Sequence, residues 1–278
     1  METNKIRIKN DAKKIFLKKG TCSHAFFHIL NREFGHVQEQ AESASDHLAG
    51  GILRQGYQCG MLWGATLAAG AEAFRRSDSL NSAIGLALTA TQHIVESFSK
   101  RTKTVECSDI TEADFKNPLS IAKYLVTGKA LGCYKLSEKW APEAIEAATK
   151  GLSTQKSNLP KTCISCASEV ARKMGASDEE IVMVAGFAGG LGLNGNACGA
   201  LSAAIWMRSL KTLKEQNKIK SGFRNPEADR ILKTFQGVTD YEMLCSEITG
   251  KNFKTIDEHT EYIKNGGCAK LIDALAGS

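Results

Sequence analysis

The sequence lacks the segments that direct a protein into or across a membrane. No stretch of its 278 residues reaches the roughly 18 uncharged apolar residues that a membrane-spanning helix needs. The first 19 residues contain neither the apolar core nor the cleavage site of a secretory leader. We therefore expect a cytoplasmic protein that does not associate with a membrane.

Other familiar signatures are missing as well. The net charge of +6 is spread thinly, and aromatic residues do not interleave with the basic clusters, which argues against nucleic-acid binding. Neither a Ser/His/Asp arrangement nor a pair of carboxylates is evident, so the sequence gives hydrolysis no support. Sustained alternation of apolar and polar residues is absent too, and the sequence therefore predicts an all-α fold.

The chain divides near its middle. Residues 150–161 include Gly151, Ser153, Ser157 and Pro160, a composition typical of a linker. We predict a helical bundle built from two homologous units, residues 1–150 and 151–278. A short charged helix is expected over residues 1–19, and a polar stretch over residues 214–225.

A glycine-rich loop leads into one cysteine of each half. Residues 186–200 contain Cys198, and residues 50–60 contain Cys59; in both, glycines lie eight and three positions before the cysteine. So much glycine predicts backbone that bends sharply or comes very close to a neighbour, so that its N–H groups could reach a sulfur. The glycines predicted to contact a cofactor are Gly51, Gly56, Gly60, Gly189, Gly190, Gly195 and Gly199.

Eight of the nine cysteines fall into two matched sets. The predicted metal ligands are Cys22, Cys59, Cys107 and Cys133 in the first half, and Cys163, Cys198, Cys245 and Cys268 in the second. Equivalent cysteines lie 141, 139, 138 and 135 positions apart, so the second half is a degenerate copy of the first. Because Cys166 matches Ala25, we predict that it lies outside the shared site.

Cysteines in a reducing compartment indicate metal binding or redox chemistry rather than structural disulfides. Most of these cysteines are predicted at helix starts, where free N–H groups and the helix dipole stabilise thiolates. Four thiolates are the usual ligands of both [2Fe–2S] and [4Fe–4S] clusters, so we predict one iron–sulfur cluster per set. Zinc bound by four thiolates, inert buried thiols, and thiol–disulfide exchange between Cys163 and Cys166 stay open as alternatives.

Two histidines accompany the first set only. His24 and His28 are four residues apart, on one face of the helix that Cys22 begins. They could form a metal pair or handle a proton. The second half has Ser165 and Glu169 at these places, so any such role would belong to the first half alone.

The order of the cysteine motifs resembles a known family. Each half has a lone cysteine and then a glycine loop that leads into Cys-Gly. Next come Cys-x-acid-aliphatic-Thr, at residues 107–111 and 245–249, and Gly-Cys-x-x-Leu, at residues 132–136 and 267–271. This order looks like that of the redox-active C_GCAxxG_C_C family. That family usually has one such unit, and this chain resembles two in tandem. The residues after Cys59 and Cys198 depart from the family motif, so the resemblance applies mainly to the order of the cysteines.

The resemblance implies a redox role through cysteine-ligated centres. A relative, the split-Soret type of cytochrome, joins a similar cysteine domain to haem segments, and there the domain is associated with an iron–sulfur cluster. Covalent haem is not expected here, because Cys-x-x-Cys-His is absent. We predict electron transfer or redox sensing with a redox partner protein, in a chain that could form a homodimer. The alternatives are a redox enzyme for a small substrate and a zinc-stapled structural module.

Overall fold

The protein is almost entirely helical. It is described here from a computed structural model, over residues 11–218 and 225–278. The structure is 69% helical and, within those ranges, contains no strand, so the predicted all-α class is confirmed. Residues 1–10 of the expected charged helix and residues 219–224 of the polar stretch lie outside the described residues.

Fifteen α-helices follow one another along the described part of the chain. The first half forms α1 (Ala12–Lys19), α2 (Cys22–Phe34), α3 (Glu39–Ala44), α4 (Gly60–Arg76), α5 (Leu80–Thr102), α6 (Cys107–Thr111), α7 (Pro118–Val126) and α8 (Ala130–Leu152). The second half forms α9 (Cys166–Lys173), α10 (Asp178–Met183), α11 (Gly199–Glu215), α12 (Pro226–Thr239), α13 (Cys245–Thr249), α14 (Ile256–Lys264) and α15 (Ala269–Ala276). Across both described ranges, no helix has the length and apolar character needed to cross a membrane.

Two of the cysteine-bearing helices begin in the same way in both halves. Thr21 caps α2 and Ser165 caps α9, each side chain accepting a hydrogen bond from the backbone N–H three residues later. The 17-residue helices α4 and α11 begin instead directly after Cys59 and Cys198, which occupy their N-cap positions. The free N–H groups of these helix starts therefore lie beside cysteines in both halves.

Small residues let the cysteine-bearing helices approach closely. A Cβ added at Gly64 of α4 would lie 2.0 Å from the carbonyl oxygen of Ser23 in α2. Only glycine permits this approach, because any side chain would overlap the neighbouring backbone. The contact fixes α2 against α4 and brings Cys22 beside Cys59.

The two halves pack against each other through buried groups. The indole N–H of Trp206 donates to the carbonyl oxygen of Ala41, 3.0 Å away and in the other half. The rings of Trp63 and Phe187 meet edge to face with their centroids 4.8 Å apart. All four residues lie in the interior or next to it, so each half supplies part of the other's core.

Candidate functional site

The four predicted cysteines of the first half come together at one place. The thiol of Cys59 lies within hydrogen-bond reach of Cys22, and this bond lowers the pKa of Cys22. Charges on Cys22 and Cys133 add to the effect of burial in raising the pKa of Cys107. Each of the four thiols therefore lies within electrostatic reach of the others, and their role as metal ligands stays a prediction.

In the second half, the structure corrects the predicted set. Cys166, Cys198, Cys245 and Cys268 line one small, largely apolar cavity. Cys163 lies elsewhere: its Sγ is 3.8 Å from the carbonyl oxygen of Pro160. The prediction of Cys163 as a member of the set is wrong in this respect, and Cys166 takes the place assigned to it.

The reason for the error is the start of α9. The Thr-Cys pair at residues 162–163 copies the pair at residues 21–22, and this identity suggested the wrong alignment. In the structure Ser165, rather than Thr162, is the counterpart of Thr21, because Ser165 caps its helix as Thr21 does. The cysteine after each cap is the first helical residue and faces the site.

The glycine loops have an unusual backbone. Residues 50–54 all have positive φ, between 49° and 74°, and residues 189–193 likewise lie between 61° and 74°. Ile52, a β-branched residue, is held at φ 59° and is fully buried. Left-handed backbone costs a non-glycine residue about 1–2 kcal/mol, so the surrounding fold must impose this conformation.

The loops aim backbone N–H groups at the first cysteine of each set. The N–H of Gly50 donates to the thiol of Cys22, and the N–H of Gly189 donates to that of Cys166. These bonds lower the pKa of the thiols and oppose the effect of burial. Gly189 was among the predicted glycines. Gly50 was missed, although it is the first glycine of the corresponding Gly-Gly pair in the first half.

The second glycine of each pair closes the loop upon itself. A Cβ on Gly51 would lie 2.3 Å from the backbone nitrogen of Tyr57, and one on Gly190 would lie 2.4 Å from that of Asn196. Real Cβ atoms do not come so close, so both positions require glycine. Contact of these two glycines with a cofactor stays a prediction.

The remaining predicted glycines make room around the cysteines. A Cβ on Gly60 would lie 2.6 Å from the Sγ of Cys22, and one on Gly199 would lie 1.8 Å from the carbonyl oxygen of Phe187. A Cβ added at Gly56 or Gly195 would lie 3.2 Å from the Cβ of Ser108 or Ser246, respectively. These glycines allow the helix starts and loops to close around the thiols.

A short backbone bridge holds the middle two cysteines of each set. The N–H of Cys59 donates to the carbonyl of Val105 at 2.8 Å, and the N–H of Cys107 donates to that of Tyr57 at 2.7 Å. In the second half, the corresponding bonds run from Cys198 to Met243 at 2.9 Å and from Cys245 to Asn196 at 2.7 Å. The repeat thus reaches the level of individual hydrogen bonds.

Comparison with known proteins agrees with this repeated geometry. A family model described as "Putative redox-active protein (C_GCAxxG_C_C)" matches residues 21–176 and again residues 162–277. The chain belongs to the C_GCAxxG_C_C family. The resemblance found in the sequence is confirmed, with two matching segments and a redox role. Neither a search of curated proteins nor a search of solved structures found a match.

A tyrosine contacts the last cysteine in each C_GCAxxG_C_C unit. The hydroxyl of Tyr124 donates to the Sγ of Cys133 at 3.2 Å, and the hydroxyl of Tyr262 hydrogen-bonds to Cys268. Sequence analysis missed both tyrosines, since they lie nine and six residues before their cysteines. They do lie 138 positions apart, the offset of Cys107 and Cys245, and this was the available signal.

The threonine of the Cys-x-acid-aliphatic-Thr motif supports the third cysteine. Thr111 donates to the carbonyl oxygen of Cys107 at 2.6 Å, and Thr249 donates to that of Cys245 at 2.7 Å. Each hydroxyl also lies close enough to the thiol to lower its pKa. The motif therefore fixes a one-turn helix that begins at a cysteine.

Burial governs the ionisation of most of these thiols. It raises the pKa of Cys198 to about 12, although the N–H groups of Ala200 and Leu201 oppose it at the start of α11. Burial likewise raises the pKa of Cys166, Cys245 and Cys268. Free thiols in this environment are protonated and unreactive at neutral pH, which disfavours simple thiol–disulfide exchange in the second unit.

The two histidines beside Cys22 contact separate carboxylates. The Nδ1 of His24 lies 3.3 Å from Asp46, and that of His28 lies 2.8 Å from Glu42. Glu42 is fully buried and also accepts a hydrogen bond from Asn31 at 3.1 Å. This network does not hold the two histidine rings on one shared ligand, as the metal-pair hypothesis would need.

A buried glutamine joins the two units directly behind their cysteines. The Oε1 of Gln58 accepts the N–H of Ala197 at 3.1 Å, and its Nε2 donates to Glu106 at 2.7 Å. Gln58 and Ala197 each precede the second cysteine of their unit. The two groups of thiols are therefore linked through one side chain that has no water contact.

Proposed function

We propose that this is an iron–sulfur redox protein in which each unit holds one cluster on four cysteines, for electron transfer or redox sensing. The proposed ligands are Cys22, Cys59, Cys107 and Cys133 in the first unit, and Cys166, Cys198, Cys245 and Cys268 in the second. The observation that supports this most is the convergence of four thiols, in both units, on helix starts and a glycine loop.

The chemistry of the residues fits such a group. A cluster with four thiolate ligands is anionic and needs hydrogen-bond donors and a positive field inside the protein. The N–H of Gly189, the start of α11 and the hydroxyl of Tyr262 supply them in the second unit. When bound, the cluster would accept and release single electrons, and the apolar wall would keep water from it.

Zinc is the weaker choice for the same cysteines. A structural zinc site needs its thiolates about 2.3 Å from one ion, in a tetrahedral shell. Among residues 11–218 and 225–278, the side chains form no group of three or more Cys, His, Asp or Glu placed for a metal ion, and this bears equally on zinc and on a cluster. Zinc is disfavoured instead because no two cysteines within either proposed set have the two-residue spacing that is the usual signature of a structural zinc site.

Metal and acid-labile sulfide in anaerobically purified protein test the proposal, read beside the visible spectrum. We expect iron and sulfide with a broad absorption that bleaches on reduction. Cys198→Ser should lose the iron of one unit, whereas Cys163→Ser, its matched control, should keep all of it. Zinc without sulfide would favour the structural module, and equal iron loss in both variants would show that the proposed set is wrong.

A small-molecule redox enzyme is the second candidate, because an open cleft lies near the second group of thiols. The cleft has a volume of about 600 Å³ and runs between α5 and the second glycine loop. The ring of Phe253 lines both this cleft and the thiol cavity. A substrate in the cleft would be separated from the cysteines by this one side chain. A change in the visible spectrum on adding small oxidants would favour an enzyme if it is lost in a Lys254→Glu variant, because Lys254 lines the cleft.

A further inference from the structure

One helix beside the first thiol site exposes an apolar face. Every residue of α7 is at least partly exposed, and Val126 and Leu119 are 87% and 80% exposed. Leu125, at 61%, and Leu131, at the start of α8, at 54%, are further exposed apolar side chains of the same segment. Exposed apolar patches of this kind mark sites of interaction with other molecules.

This helix lies over the outermost cysteine of the first unit. Tyr124 of α7 donates to the Sγ of Cys133 at 3.2 Å, and Cys133 is only half-buried. The ring of Phe115 packs edge to face on Tyr124, with centroids 5.2 Å apart. A molecule bound to α7 would thus be separated from the thiol site by little more than one tyrosine ring.

The same segment of the chain is rich in lysine. The four lysines are Lys116, Lys123, Lys129 and Lys135, and the segment that holds them, residues 115–135, contains no acid. Lys129 pairs with Glu112, just outside the segment. The leucines and Val126, together with these lysines, form what we call the α7 face.

The second unit provides an internal comparison. The corresponding segment, residues 253–273, has three lysines and four acids. In α14, Glu261 stands at the position of Lys123, and Lys264 stands at that of Val126. The same element is thus basic and apolar in one unit but acidic and polar in the other, so the repeat itself does not explain the α7 face.

We propose that the α7 face docks an acidic one-electron carrier protein, which exchanges electrons with the first unit; this rests on the proposed function. The lysines would attract the carrier and the apolar side chains would hold it. The reduced carrier loses one electron, and the centre held by the four thiols near Cys133 gains it. A twofold contact with a second copy is disfavoured, because it would set the same lysines against each other.

The test uses an acidic [2Fe–2S] ferredoxin as the probe. Its binding to the purified full chain is measured by calorimetry at 20 and 500 mM salt. We expect salt-sensitive binding that Lys123→Glu and Val126→Asp each weaken about tenfold. Lys264→Glu is the matched control, since it makes the same change of charge on α14 and should leave binding unchanged. Circular dichroism checks that the exposed substitutions preserve the fold.

A second measurement separates this proposal from the proposed function. Bleaching of the visible absorption is followed with dithionite and with reduced ferredoxin. If dithionite bleaches nothing, the cluster proposal fails, and binding still tests the α7 face. The docking proposal is overturned if the ferredoxin does not bind at low salt, or if Lys123→Glu and Lys264→Glu weaken binding equally. It is also overturned if the chain sediments as a dimer that Val126→Asp dissociates.

Discussion

Replacing Gly190 with alanine should damage both the fold and the second thiol site. Gly190 has φ 74°, and a Cβ there would lie 2.4 Å from both the nitrogen and the oxygen of Asn196. The oxygen of Asn196 also accepts the N–H of Cys245 at 2.7 Å. The new methyl group must therefore displace the backbone that positions Cys245.

The size of the effect can be worked out with a control that isolates the backbone conformation. Gly175 has φ 82°, and among the described residues nothing would lie within 4 Å of its added Cβ. Gly175→Ala should therefore cost only the left-handed conformation, about 1–2 kcal/mol. Gly190→Ala adds a backbone collision and the weakening of a buried hydrogen bond, so we expect a total above about 4 kcal/mol.

Denaturant unfolding followed by circular dichroism measures both variants against the parent chain. The midpoint should fall slightly for Gly175→Ala and much further for Gly190→Ala. Iron content gives a second measure, because displacement of Cys245 should empty the second site and spare the first. Equal midpoints for the two variants, or full iron in Gly190→Ala, would refute the role given to the loop.

Two further predictions concern the hydrogen bonds around the first site. Tyr124→Phe removes the donor to Cys133 and should lower the reduction potential of that unit by about 20–60 mV, the equivalent of one net hydrogen bond. A redox titration measures the change, and Tyr262→Phe should leave the first unit's potential unaltered. Burial raises the pKa of Glu42. Hydrogen bonds, first among them the one from His28, lower the pKa by more than burial raises it, so the folded pKa lies below the usual value. Its stabilising effect is therefore complete above the unfolded pKa and is lost as pH falls through the folded one, so Glu42→Gln should flatten the acid side of the stability profile; an unchanged acid slope would contradict this reasoning.

Much of the fold could be predicted from local patterns in the sequence. Helices were predicted from periodicity, and the repeat from the spacing of the cysteines. The many glycines of the loops indicated sharply bent backbone. Close packing explains them, because a Cβ at several of these positions would collide with neighbouring atoms. These features depend on residues near one another in the chain, and such patterns are what a single sequence retains.

The errors in the predicted site arose where contacts between distant parts of the chain determine which side chains come together. Cys163 matched the first unit by its neighbours, but the cap at Ser165 determines which cysteine faces the site. The repeat places Tyr124 and Tyr262 at equivalent positions, but nothing local in the sequence shows that each contacts the last cysteine of its unit. The clusters themselves stay a prediction, because the cysteines fix the possible ligands but not the metal.

The hydrogen bond from Ala197 to Gln58 has a consequence for how such a protein can change over time. In a symmetric dimer of single units, each substitution occurs in both subunits. Equivalent positions on the two sides of the axis would therefore always have the same residue, and a contact between unlike residues at those positions could not arise. Here both units lie in one chain, and the polar side chain stands on one side and a methyl group on the other. The tandem arrangement thus frees each half to specialise, and the two groups of thiols can come to lie in different surroundings while they keep one shared scaffold.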